Sequence, residues 1–116
     1  MKAIHQKMKG YTIVITPHAI DARQTRFDGK IHNEDIFEAV DGVRHRMRPD
    51  QVSGTVISIQ GVEIANVYMR RIFNEYRKRE EIEVISITSC EHFRTHGYNE
   101  NGESHLDTVW VMPRKR

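Results

Sequence analysis

The chain has 116 residues, which suits one domain and leaves no room for two ordinary ones. A hydrophobic fraction of 38% and a charged fraction of 29%, with apolar residues in pattern, exclude disorder. A single cysteine, Cys90, excludes an internal disulfide framework and points to a reducing, cytoplasmic setting.

No stretch approaches the roughly 20 apolar residues of a membrane span, and residues 1–7 lack the apolar run of a signal peptide, so no membrane partner is expected. The net charge of +2 understates how clumped the cations are. Arg44, Arg46 and Arg48 form one group. Arg70, Arg71, Arg77, Lys78 and Arg79 form a second, and Arg114, Lys115 and Arg116 a third. Arginine prevails over lysine, and its planar fork suits phosphate oxygens. A charge run is also what an ordinary solvated surface carries.

Residues 11–15 (YTIVI) are β-branched and aromatic, which predicts a strand. Thr16-Pro17 then offers a cap and a first helical residue, so a helix is expected to about Phe27, ended by Asp28-Gly29. Asn33-Glu34-Asp35 opens a second helix, with Ile36, Phe37, Val40 and Val43 as its apolar stripe. A basic loop to Pro49 comes next. Residues 55–59 (TVISI) read as a strand. Ile64, Ala65, Tyr68, Met69, Ile72, Phe73 and Tyr76 then fall on one face at a 3.6-residue period, which predicts a long helix over 62–80. Residues 82–88 and 106–112 are further strands. Strand, helix and strand in that order suggest a parallel pair joined by a crossover.

Between the last two strands, Asn101-Gly102 is a strong hairpin signal, because both turn residues need positive φ. Residues 82–98 and 103–112 are therefore expected to form one long antiparallel hairpin. In that register Ile85, Ile87, Phe93, Leu106, Trp110 and Met112 share the core face. His92, Arg94, His96, Tyr98, His105 and Asp107 share the other face. A His–Asp pair fixes an imidazole tautomer, a nearby Arg holds a phosphate, and a second His supplies an acid. These are the parts of metal-free phosphodiester cleavage, with His96, Asp107, His105, His92 and Tyr98 as candidate catalytic groups and Arg94 as the phosphate ligand. A hairpin with one wet face would carry polar residues there in any case, and a bulge would scramble the two faces.

No metal or organic cofactor is expected. The spacing of Cys90, His92, His96 and His105 matches no strong zinc pattern, and on an extended strand His92 and His96 lie roughly 13 Å apart. Phosphate-binding and hydrolase glycine motifs are missing. Cys90 reads as a small buried hydrophobe.

The segment ITPHAIDARQTRF, continued by HNEDIFEAV, resembles the opening of small phage and bacterial proteins related to the RelE-type ribonuclease toxins. The resemblance covers about the first 40 residues. It implies an RNA ligand, with His18, Arg23 and Arg26 as ligand-binding candidates beside Arg44, Arg46 and Arg48. Ala22 stands where that pattern would have an arginine.

The expected architecture is a two-layer α+β domain, with a mixed sheet of about four strands, helices on one face and a C-terminal hairpin. The expected function is handling of a phosphate-bearing ligand, either RNA binding or metal-independent RNA cleavage. The alternatives are an oligomeric protein that sequesters a nucleotide, or a small inhibitor acting through an exposed sheet edge. A homo-oligomer is expected, with Val109 and Val111 on its open face.

Overall fold

A computed structural model describes residues 2–49, 51–89 and 108–112. The described chain runs β1 (Ile4–Lys7), β2 (Thr12–Ile15), α1 (Pro17–Phe27), α2 (Asn33–Val43), a 3₁₀ turn at Arg44–Arg46, β3 (Val52–Ile59), β4 (Val62–Asn74), β5 (Arg79–Ser89) and β6 (Val109–Trp110). The six strands form one mixed sheet in the order β1-β2-β5-β4-β3-β6. The α+β class expected from the sequence holds, but the sheet is wider than four strands.

Both early helices start where the sequence places them. Thr16 caps α1 by accepting from the Ala19 amide at 3.3 Å, and its hydroxyl donates to the Val84 carbonyl of β5 at 2.9 Å. One residue thus starts the helix and pins it to the sheet. Asp28 at φ 45° and Gly29 at φ 76° end it in the left-handed region. In α2 the Asp35 carboxylate accepts from the His32 amide at 2.8 Å, so the helix is capped one residue earlier than Asn33. Ile36, Val40 and Val43 are fully buried against Ile13, Ile15, Ile57, Val67 and Val84, the inner row of the sheet.

The predicted helix over 62–80 is instead β4 and the turn after it. Gln60 at φ 52° and Gly61 at φ 80° make a two-residue hairpin turn that pairs Ile59 with Val62. Residues at i and i+4 share a face in a helix, and they also share a face in a strand. The helical stripe is two strand faces superimposed. Ala65 and Met69 point to the helices, while Tyr68 and Ile72 belong to the opposite row. A register shift between Ile57 and Ser58 slips the alternation at Ile64, which made a period of two still harder to see. No crossover helix separates β3 from β5; β3, β4 and β5 form an antiparallel meander. Parallel pairs do exist, but they join β2 to β5 and β3 to β6.

The long C-terminal hairpin is also corrected where the structure describes it. Strand β5 is paired on both sides, by β2 and by β4, whereas Val109-Trp110 lies at the other edge of the sheet, parallel to β3. The remainder of that predicted hairpin, including its Asn-Gly turn, lies outside the described residues. Ile85 is the extra residue of a second register shift, between Tyr68 and Met69, so it does not share the inner row with Ile87. Trp110 aligns with Gly54 and meets Tyr68 edge-to-face at 5.8 Å, on the side away from the helices. Val111 is buried in the core instead of facing outward beside the exposed Val109.

Gly54 is required by this arrangement, because a Cβ there would stand 2.8 Å from the Trp110 ring. Gly54→Ala is expected to displace β6 and to lower stability by about 1–3 kcal/mol. Trp110 is the single tryptophan, so its fluorescence together with urea unfolding reads both effects. Unchanged emission and midpoint would contradict this packing of Trp110 on Gly54.

Candidate phosphate-binding cleft

The acidic start of β5 decides which cations are available for a ligand. Glu81 is only 1% exposed, yet its carboxylate accepts from Arg79 Nε at 2.7 Å, from Asn74 at 3.1 Å and from Arg77 at 3.1 Å. Burial pushes its pKa up, but the bonds from Arg79, Asn74 and Arg77 outweigh burial and hold it below the ordinary 4.5. Glu80 pairs with Arg44 at 3.2 Å and with Arg71 at 2.6 Å. Glu83 pairs with Arg70 across the sheet at 3.0 Å. The arginines of the second basic clump are therefore paired with carboxylates.

Arg44 is engaged a second time. Its guanidinium lies 4.4 Å from the centre of the Tyr11 ring, whose hydroxyl donates to Asp41 at 2.6 Å. Burial, and then the Asp41 bond, raise the Tyr11 pKa well above its ordinary value, so the hydroxyl stays a donor. The remaining α1 candidates also serve the fold. Arg26 donates to the Ile87 carbonyl at 2.6 Å, and Arg23 donates to Asn33 at the start of α2. His18 is exposed on the first turn of α1. No hydrogen bond or ion pair among the described residues joins it to Arg23 or Arg26, so the three do not assemble into one site.

Arg46 and Arg48 differ from these. Neither has a carboxylate partner among the described residues. Arg46 donates to the Met112 carbonyl, and both line a cleft of about 570 Å³ with Gln51, Ser53, Trp110 and Met112. The Arg44–Arg46 turn forms one wall and β6 the other. Trp110 is half-buried and belongs to the strand that lines the cleft, but its ring lies against Gly54 and Tyr68 on the side away from the helices. Sequence reading found the two arginines but put Trp110 on the core side. Only the parallel pairing of β6 with β3 brings residues 109–112 to the arginines.

The imidazole-rich face proposed from the hairpin register, with His92, Arg94, His96, Tyr98, His105 and Asp107, lies outside the described residues, as does Cys90. Among the described residues no group of three or more His, Cys, Asp or Glu could hold a metal ion, and no helix is long and apolar enough to cross a membrane. Compared with known protein families, with curated proteins and with solved structures, the chain matches none.

The Glu81 cluster gives a pH prediction. A carboxyl whose native pKa is depressed stabilises the fold above its unfolded value, and that contribution is lost as pH falls through the lower native value. Glu81→Gln should therefore cost about 1–3 kcal/mol at neutral pH, a moderate loss because Arg77 and Arg79 can turn to water. The gap to wild type should shrink as pH drops below 4.5. Urea midpoints at neutral and acidic pH measure it, and a pH-independent gap would contradict the assignment.

Proposed function

We propose that this chain binds a phosphate-bearing ligand, single-stranded RNA foremost, in the cleft between the Arg44–Arg46 turn and β6. The observation that carries this reading is the contrast among the arginines. Arg44, Arg70, Arg71, Arg77 and Arg79 each meet a carboxylate, whereas Arg46 and Arg48 face a shared cleft with none among the described residues. A guanidinium fork holds phosphate oxygens by paired hydrogen bonds. Such contacts to phosphate give affinity without sequence preference. Gln51 and Ser53 add neutral donors and acceptors. The resemblance of the first 40 residues to RelE-type ribonuclease toxins points the same way. The described lining of the cleft holds no histidine and no carboxylate, which favours binding over cleavage there.

Binding of a short oligouridylate, monitored by Trp110 emission across a salt series, tests the proposal. Affinity should fall steeply with salt, by a log–log slope of about 0.7 for each phosphate neutralised. The double variant Arg46→Ala/Arg48→Ala should weaken binding by roughly tenfold or more and flatten the slope by about one to two. Stabilisation by mononucleotides with no RNA binding at low salt would replace this reading with a small-ligand one. Full affinity in the double variant would overturn the location.

A further inference from the structure

A second cleft opens at the same end of the sheet, of about 610 Å³, between the β1–β2 turn and the β4–β5 turn. Lys7, Lys78 and Arg79 line it together with Phe73. Phe73 is 58% exposed and Tyr76, in the adjoining turn, is 95% exposed. Exposed large apolar side chains are few among the described residues, and Phe73 belongs to this cleft while Val109 and Met112 belong to the first. The carboxylate in the second cleft, Glu80, is already neutralised by Arg44 and Arg71. Lys7 has no carboxylate partner among the described residues, and Lys78 has only a 4.0 Å contact with the exposed Glu75. The cleft is therefore cationic, with an aromatic face turned to solvent.

The two clefts have no lining residue in common, but Arg71 links their surroundings. Arg71, two residues before Phe73, donates to the Met47 carbonyl at 3.1 Å and bridges to Pro49, and Arg48 sits between those two residues. Strand register puts the start of β3 beside Arg70 and the start of β5 beside Asn74, so both clefts flank the same end of β4. Three strand spacings separate β6 from β5, or roughly 14 Å.

We propose that the second cleft is a further contact for the same RNA strand, so that the ligand is an extended single strand crossing this end of the sheet and not an isolated nucleotide. The inference rests on the first cleft being an RNA site. Two cationic clefts at one end of the sheet, the second with an exposed ring, match a backbone with regularly spaced phosphates and bases. An acidic peptide would use the cations but not the Phe73 ring.

Oligouridylates of about four and about twelve nucleotides separate the outcomes. The longer one should bind at least roughly tenfold more tightly, because its second contact is intramolecular. Lys7→Ala/Lys78→Ala, and independently Phe73→Ala, should reduce the longer oligomer to the affinity of the shorter one and leave the shorter one unchanged. Arg46→Ala/Arg48→Ala should weaken both. If both lengths bind equally, or the second-cleft variants leave the longer one untouched, this inference fails and the first cleft stands. If neither length binds wild-type protein, the first cleft is not an RNA site and the second falls with it. Competition by polyglutamate as effective as by RNA would overturn the choice of ligand.

Discussion

Strand β5 is the member on which the other elements depend. It lies between β2, which it meets in parallel, and β4, which it meets antiparallel, and it buries Ile82, Val84 and Ile87 completely. Both ends of α1 are tied to it, through the Thr16 hydroxyl on the Val84 carbonyl and through Arg26 on the Ile87 carbonyl. Burying a strand on both sides satisfies its backbone groups but forces every side chain on it to find a partner or a core position. Glu80, Glu81 and Glu83 at its start are the consequence, and their cations come from β4, the turn after it, β5 itself and the 3₁₀ turn after α2.

That arrangement divides the basic residues into two groups. One group neutralises carboxylates at the sheet and serves the fold. The other lies beyond reach of those acids and keeps its hydrogen-bonding capacity. Net charge cannot reveal the division, because +2 is the same whether the arginines are internal or available. Position relative to β5 decides it. Arg44 and Arg46 are two residues apart, yet Arg44 reaches Glu80 and Tyr11 while Arg46 reaches Met112 and the cleft.

Local signals carried the N-terminal half. Thr16-Pro17, Asp28-Gly29 and the Ile36, Val40, Val43 stripe each act within a few residues, so α1 and α2 could be read with near-correct ends. Local signals failed at 62–74, where a strand with apolar residues on both faces imitates a helical stripe and a bulge slips its phase. The turn chemistry was available as a counter-signal, since Gly61 comes after a residue able to take positive φ, and β-branched Val62, Ile64 and Val67 crowd the start of the next segment. The Tyr68 and Trp110 contact had no sequence signal, because it depends on a parallel pairing between segments more than fifty residues apart.

The amino-acid order alone determined the class of the domain, its two amphipathic helices, the strand content of residues 11–15, 55–59 and 82–88, and the basic clumps, because capping, β-branching and charge are properties of neighbouring residues. The tertiary structure alone decided the strand order, the role of β4, the face on which Trp110 lies and which of the described arginines meet an acid. Those depend on register between distant segments, and one residue of bulge reverses the face of every side chain beyond it.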